Sequence, residues 1–294
     1  MARERALAEL AALTETGPLP VSNELLAQTE YRGPPWDLSL LEGIELPESD
    51  GVPMASDLHV RQMNLLIEVV GALMVARGRT NFWVGGDIFI YYTPEQARFV
   101  ASHTPPEERA FVGPDFVFID GVTPGPRRSW QVWNEHNRYP DVIAELLSPS
   151  TARIDNTVKK WRYDRIFRTP EYYLYEPDSE VFTAYHLVGG KYRKARRGAD
   201  ERVYSKQLDA WFGLWQGTFQ TYSARWLRIY QTEHASDPIP TGHERAEDER
   251  QRAEDERRRA EDERQRAEDE RQRAERAEAE LARLRALLNA DTRK

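Results

Sequence analysis

The sequence contains no cysteine, which excludes disulfide bonds and metal sites with thiolate ligands. No uninterrupted apolar run approaches the roughly 18 residues that a membrane-spanning helix needs. The amino terminus carries charges of both signs and lacks the apolar segment of a secretory signal. We therefore expect a soluble cytoplasmic protein with one or two domains and no membrane segment.

Further absences narrow the possible functions. A glycine-rich phosphate loop is missing, and Ser148 and Ser150 flank a proline, which suits a turn rather than a catalytic serine. The chain has 41 basic and 49 acidic residues, a formal net charge of -8. Because a broad basic surface is not expected, contact with nucleic acid must come from local clusters of Lys and Arg.

The last fifty residues form a heptad repeat without Gly or Pro. The motif Arg-Ala-Glu-Asp-Glu-Arg begins at Arg245 and recurs every seven residues through Arg266, which predicts a long charged helix. Heptad positions a and d, which would form the seam of a coiled coil, are mostly Ala and Glu, and such a seam is weak. Only residues 274–288 add leucines. The repeat is therefore either a solvated helix or a weak coiled coil through which the protein self-associates.

Composition changes along the chain divide it into four segments, with the third marked by two prolines and a glycine. The segments are an N-terminal helix and linker (1–30), a globular domain (31–236), a Pro/Gly hinge (237–243) and the charged helix (244–294).

Hydrophobic periodicity predicts a central sheet flanked by helices in the globular domain, an α/β or α+β fold. Helices are expected at 59–77 and 157–167, strands at 81–92, 115–119, 141–147 and 171–175, and a hairpin at 181–188 and 191–196.

Two acidic residues occupy positions where a carboxylate is energetically costly. Asp115 opens an apolar strand and Glu145 lies inside another, so each needs a cation, a metal or several hydrogen-bond donors. Downstream, Asp155, Lys159 and Tyr163 are spaced four apart and share one face of a helix. The turn after the Glu145 strand allows Lys159 to return towards Glu145.

Two carboxylates near a lysine suit metal-assisted cleavage of a phosphodiester. Mg²⁺ binds a few carboxylates and retains several waters, and a lysine can stabilise the charge that develops during the reaction. The same residues also suit a purely structural role. In that case Glu145 and Lys159 form a buried ion pair, and Asp115 caps a strand end.

The order of these motifs resembles the Uma-type putative restriction endonuclease family of the PD-(D/E)xK nuclease superfamily. The resemblance spans about residues 50–188, most of the globular domain. The segments that carry it are 113–115 (Gly-Pro-Asp), 140–151, 155–163 and 169–175, with 50–54, 59–66 and 85–92 upstream.

The resemblance implies a restriction-endonuclease-like core, a DNA substrate and a homodimer. It assigns Asp115 and Glu145 as the acids that hold Mg²⁺ or Mn²⁺. The usual motif has a lysine two residues after the second acid, where this chain has Leu147. The resemblance implies that in this family the lysine lies on the following helix, which indicates Lys159 as the catalytic lysine that serves the attacking water and Lys160 as the neighbouring candidate.

Three other residues are candidates for supporting roles, and a further acid was weighed and set aside. Asp155 could orient Lys159 or cap the helix, His59 opens a helix that could face the site, and Asp87 could be a third acid. Asp141 forms a second Pro-Asp pair, but it precedes Glu145 by four strand residues, about 13 Å. That separation is too large for one shared metal, so Asp141 is interpreted as a turn residue at the strand end.

Basic residues form three clusters, at 127–128, 159–168 and 191–197. The candidates for DNA-backbone contacts are Arg127, Arg128, Arg162 and Arg165. The third cluster, on the predicted hairpin, either contacts DNA or is simply solvated. Trp161 could stack on bases, although aromatics at this density usually belong to a core.

Two hypotheses follow from the sequence. The first is a metal-dependent DNA endonuclease that uses Asp115, Glu145 and Lys159. The second is a catalytically inactive interaction module that keeps the nuclease fold and self-associates through its charged helix. The departure from the usual lysine position and the acidic net charge favour the second.

Overall fold

The computed structural model describes residues 34–46, 56–102, 112–148 and 155–291. The side chains of 155–156 and of the helix beyond residue 283 lie outside this description, as does the helix predicted within 1–30. The chain divides into two compact units, Met1–Thr241 and Gly242–Lys294.

Eleven strands and four main helices make up the described part of the chain. The strands are β1 (Phe82–Gly85), β2 (Ile90–Tyr91), β3 (Phe116–Asp120), β4 (Trp130–Gln131), β5 (Val142–Leu146), β6 (Glu171–Glu176), β7 (Val181–Val188), β8 (Lys191–Lys194), β9 (Val203–Ser205), β10 (Ala210–Phe219) and β11 (Tyr222–Tyr230). The helices are α1 (Asp57–Ala76), α2 (Pro94–Ser102), α3 (residues 155–167) and α4 (Gly242–Asp291), with short 3-10 turns at Leu38–Leu41, Val132–Asn134 and Ala199–Glu201.

A mixed six-stranded sheet forms the centre of the first unit, in the order β1-β3-β5-β6-β7-β8. Its neighbours are antiparallel except for β5 and β6, which are parallel. All five residues of β5 are buried, as expected for a strand covered on both faces. A parallel pair needs a crossover connection, and α3 lies within the one that joins β5 to β6.

The helix α3 is wider than an ordinary α-helix. Residues Asp155–Lys159 and Tyr163–Phe167 form π-helical turns on either side of a short α-helical segment, Lys160–Arg162. The helix ends where Arg168 adopts a left-handed conformation and the Thr169 N–H donates to the Tyr163 carbonyl at 3.0 Å. Such π-helical turns often occur at functional sites.

One face of the central sheet packs against α1. The Ser56 hydroxyl caps this helix by accepting from the His59 N–H, and an apolar stripe from Met63 to Met74 is buried. Among the described residues, α1 is the one helix long and apolar enough to cross a membrane. Length and apolar composition do not distinguish a membrane span from a core helix, and half of the most apolar stretch of α1 is buried within the fold.

A second sheet, β11-β10-β9, joins the same core. The Gln62 side chain both donates to and accepts from the Leu227 backbone at 2.9 Å, which fixes α1 to β11. The rings of Tyr173 and Phe212 lie 4.2 Å apart and connect the two sheets. The opposite face of the central sheet is covered by a second cluster that includes Trp130, Tyr163 and other apolar side chains.

The structure corrects one predicted strand. Residues 81–92 form two short strands, β1 and β2, and the chain breaks between them at Gly86 and Asp87. Asp87 has a positive φ of 49°, which ends the extended conformation. β2 then leaves the central sheet and pairs in parallel with β4.

The second unit is the 50-residue helix α4. Nearly all its described side chains are exposed, and ion pairs such as Arg250 with Glu254 and Arg257 with Glu261 lie along its surface. The predicted long helix is confirmed. The fold class is confirmed as well: a central mixed sheet flanked by helices, followed by a long C-terminal helix.

Candidate active site

The two predicted acids meet at one edge of the central sheet. Phe116 of β3 pairs with Ala144 of β5, so Asp115 and Glu145 occupy opposite positions on neighbouring strands. The Asp115 N–H donates to Glu145 Oε2 at 3.4 Å, and the Leu146 N–H donates to Asp115 Oδ2 at 2.6 Å. Each carboxylate is therefore held by the backbone of the other strand.

Lys159 returns from α3 to Glu145, as the spacing predicted. The Lys159 ammonium lies 3.0 Å from Glu145 Oε2, with the carboxylate 0% exposed and the lysine side chain 18% exposed. A buried carboxylate without a cationic partner would be strongly destabilising. The contact therefore compensates a charge that the sheet places in the core.

Tyr163 makes a polar contact that the sequence did not predict. Its hydroxyl donates to Glu145 Oε1 at 2.8 Å, while its ring is fully buried. Lys159 and Tyr163, on successive turns of α3, thus each contact one oxygen of the Glu145 carboxylate. Their spacing of four residues was the signal for this shared face.

Gly86, in the connection between β1 and β2, lets this part of the backbone approach Asp115 closely. A Cβ atom at Gly86 would stand 2.0 Å from the Asp115 carbonyl oxygen, so only glycine fits there without displacing the backbone. The next residue, Asp87, is exposed, and its N–H donates to the Pro114 carbonyl at 3.0 Å. The backbone of Asp87 thus lies beside the site.

His59 also lies beside the site and is buried. Its Nε2 atom is 3.1 Å from the Leu147 carbonyl oxygen, and its Nδ1 atom is 2.6 Å from the Ser56 hydroxyl. The imidazole therefore links the start of α1 to the strand end that follows Glu145. Neither His59 nor Asp87 completes a metal-binding group, since the described residues contain no cluster of three His, Asp or Glu residues.

Two other candidates lie away from the acids. The Lys160 ammonium is 3.7 Å from the centre of the Tyr185 ring. Asp141 lies at the opposite end of β5, where it accepts from the Asp120 N–H at 2.7 Å and pairs with Arg138 at 3.1 Å. Burial raises the pKa of Asp141. The side chain of Asp155 lies outside the described residues.

The four arginines predicted to contact the DNA backbone differ in exposure. Arg162 is 3% exposed and packs near the Tyr92 ring, so it is a core residue and not a surface contact. Arg127 makes a two-pronged bond to Glu135, at 2.6 and 2.9 Å. Arg128 and Arg165 are exposed.

Comparison with known proteins identifies the family of the chain. Residues 36–215 match the family described as Uma2, putative restriction endonuclease, and the chain belongs to this family. The resemblance drawn from the sequence motifs is therefore confirmed, and with it a nuclease-like class of protein.

A search of solved structures finds a similar chain, described as a putative nuclease belonging to DUF820 from Anabaena variabilis ATCC 29413. The two are 14% identical with a TM-score of 0.36, and the match covers 53% of this chain and 76% of that one. No curated protein matches the sequence.

Proposed function

We propose that this protein is a metal-dependent endonuclease that hydrolyses phosphodiester bonds of DNA. Membership of the restriction endonuclease family supports the nuclease class. The observation that supports these particular residues is the contact of 3.0 Å between Lys159 and Glu145, on the strand edge where Asp115 also lies. Three polar groups from distant parts of the sequence converge there.

The acids fit a small divalent cation. Asp115 and Glu145 offer hard carboxylate oxygens, the ligands that Mg²⁺ and Mn²⁺ prefer. When ionised, the side chains of Asp115, Glu145 and Lys159 carry two negative charges and one positive charge, so a cation would reduce the excess. The ion would supply an activated water and neutralise charge on the phosphate.

The protein residues would hold this arrangement in place. Tyr163 fixes Glu145 Oε1, which leaves the orientation of the carboxylate little freedom. The Lys159 ammonium would donate to the attacking water or to the phosphate oxygen on which charge develops. His59 would keep the end of β5 in position through the Leu147 carbonyl.

Isosteric replacement of the acids tests the proposal. We expect wild-type protein to nick supercoiled plasmid only when Mg²⁺ or Mn²⁺ is added. Asp115→Asn and Glu145→Gln should abolish nicking and weaken Mn²⁺ binding in calorimetry. Asp141→Asn, at the far end of the same strand as Glu145, is the matched control and should remain active. Nicking that persists in both acid variants would refute the assignment.

A non-catalytic role is the second candidate. Two observations favour it: Lys159 already neutralises Glu145, and the described residues contain no cluster of three metal ligands. In that case the pair would be structural and the protein would act as an interaction module. Failure to bind Mg²⁺ or Mn²⁺ in calorimetry, together with no nicking, would support this function over the first.

We also propose that the protein acts as a homodimer, because cutting both strands of a duplex is simplest with two sites. The apolar positions within 274–288 of α4 are the segment we propose for helix-mediated association. The long exposed surface of α4 supports this role, since no described side chain of α4 is buried.

A further inference from the structure

Two basic clusters that are separate in the sequence meet in the structure. The Tyr192 N–H of β8 is 3.5 Å from Asp164 Oδ2 of α3. A Cβ atom at Gly190, in the turn between β7 and β8, would stand 3.5 Å from the Arg168 guanidinium. The end of α3 therefore packs against the β7–β8 hairpin.

The middle of α3 reaches the same hairpin. The Lys160 ammonium lies 3.7 Å from the Tyr185 ring centre, and Tyr185 of β7 pairs directly with Lys194 of β8. Burial lowers the pKa of Lys160; the charge of Asp164 opposes this shift, while that of Lys194 adds to it. Lys160 is thus a packing residue, and Lys194 lies on the α3 side of the sheet.

The result is an exposed surface, here named the basic face, made of Trp161, Arg165, Arg168 and Lys194. Trp161 is 41% exposed and the Arg165 side chain 47% exposed. Within the described part of the chain, Arg168 and Lys194 have no acidic partner within ion-pair distance, and Arg165 has only Asp164 at 3.5 Å. Positive charge on this face is therefore poorly compensated.

Uncompensated positive charge is unexpected on a chain whose net charge is -8. Like charges held close together cost free energy, and a polyanion removes that cost. A large exposed aromatic among cations is typical of surfaces that follow a nucleic-acid strand, where cations contact phosphates and the ring stacks on a base. The face also shares α3 with Lys159 of the candidate active site.

We propose that the basic face binds the phosphodiester backbone of the DNA that is presented to Asp115 and Glu145. This inference rests on the proposed nuclease function and adds the surface that would hold the substrate. Arg165, Arg168 and Lys194 would contact phosphates, and Trp161 would contact a base or sugar.

The sheet itself provides a matched control. Arg193 is exposed and adjacent to Lys194, but side chains alternate along a strand, so Arg193 points to the opposite face. Its partner across the strands is His186, whose ring lies 6.4 Å from Tyr173 in the core cluster on the α1 side. Arg193→Gln therefore removes the same charge from the same strand outside the basic face.

The test is DNA binding by the full chain without metal, in EDTA, so that no cleavage occurs. Fluorescence anisotropy would give Kd for a labelled duplex and for one of its single strands over a series of salt concentrations. For the double variant Arg165→Gln/Lys194→Gln we expect weaker binding. The slope of log affinity against log salt should fall in magnitude by about 0.9 per lost phosphate contact on duplex, or about 0.7 on single strand. Arg193→Gln should keep the wild-type slope.

The outcomes separate this inference from the proposed function. A reduced slope in the double variant, with no nicking by wild type under any metal condition, would support the DNA-binding face and refute the nuclease. Metal-dependent nicking together with an unchanged slope would refute the face and leave the nuclease standing. No DNA binding by the wild type, or an equal loss of slope in Arg193→Gln, would also overturn the inference.

Discussion

Glu145 places a carboxylate in the core, where removal from water makes its charge costly. It is fully buried in the middle of an apolar strand, yet it is contacted by Lys159, Tyr163 and the Asp115 backbone. The sequence predicted the acid and the lysine because a carboxylate among apolar neighbours requires a cation. It did not predict the tyrosine contact, because an aromatic residue on a helix face is also what core packing requires.

Removal of the Tyr163 hydroxyl should therefore affect both stability and the site. We expect Tyr163→Phe to lower the free energy of unfolding by about 2 kcal/mol, because a buried hydrogen bond to a charged group is lost. Urea denaturation measures this change, and nicking of plasmid should slow in parallel. As a control, Tyr222→Phe removes a hydroxyl that bonds Asp57 at the exposed surface, and it should change both measurements far less. An unchanged urea midpoint in Tyr163→Phe would show that the hydroxyl does not stabilise the fold.

At the scale of elements, the site depends on how closely the β1–β2 break approaches β3. The sequence predicted a single strand at 81–92, and it could not show that Gly86 meets the Asp115 backbone. That contact joins segments nearly thirty residues apart and depends on the antiparallel pairing of β1 with β3.

Gly86→Ala should displace the Asp115 backbone. A Cβ atom 2.0 Å from the Asp115 carbonyl oxygen cannot be accommodated in place, so we expect a loss of at least about 1–3 kcal/mol of stability and loss of nicking. Gly71→Ala within α1 is the matched control. Its Cβ would lie 3.5 Å from Val84, an ordinary contact, and alanine favours the helix by up to about 1 kcal/mol. Thermal melts of both variants measure these effects, and equal melting temperatures would contradict the account.

A second acidic residue, Glu171, fastens β6 to the turn between β9 and β10. It is 3% exposed and accepts from the Lys206 N–H at 2.7 Å, the Tyr173 hydroxyl at 2.9 Å and the Ser205 hydroxyl. Despite these donors, burial raises the pKa of Glu171 above its ordinary value of 4.5. The folded protein therefore holds this proton more tightly than the unfolded chain.

This shift makes stability depend on pH in a defined direction. The stabilisation from the Glu171 proton is fully present below pH 4.5 and is lost as pH rises through the folded-state pKa. Glu171→Gln cannot ionise, so the unfolding free energy of wild type minus that of the variant should fall as pH rises above 4.5 and then level off. Urea unfolding at a series of pH values measures this difference. A difference that stays constant with pH would contradict the prediction.

At the scale of the whole molecule, the sequence predicted the central sheet better than its surroundings. Strands β3, β5 and β6 are apolar runs bounded by turn residues, so pattern alone locates them. The long β10–β11 hairpin was not predicted. Its buried residues, such as Phe212 and Trp226, are interspersed with Gly and charged residues, and its position depends on packing against α1. Tertiary contacts of this kind have no local signal.

The C-terminal helix makes a prediction about assembly. Leu281 is 54% exposed on α4 and belongs to the short apolar segment at 274–288. If that segment associates, Leu281→Gln should shift sedimentation equilibrium towards monomer without changing the melting temperature of the first unit. Ala260→Gln, at an equivalent heptad position outside the segment, is the control. A wild-type protein that is monomeric at all concentrations would exclude helix-mediated association.

The most direct test of the central claim compares two neighbouring lysines of α3. Lys159 contacts Glu145 at 3.0 Å, whereas Lys160 points to the Tyr185 ring. With saturating DNA and Mn²⁺, we predict that Lys159→Met slows single-turnover cleavage by about 10²–10³-fold, as removal of a group that stabilises developing charge does. Lys160→Met should cleave near the wild-type rate. Because Lys159→Met leaves the buried Glu145 without its cation, it should melt at a lower temperature, and cleavage is compared at a temperature at which circular dichroism shows both variants folded. A wild-type cleavage rate in Lys159→Met, or an equal loss of rate in Lys160→Met, would contradict the account.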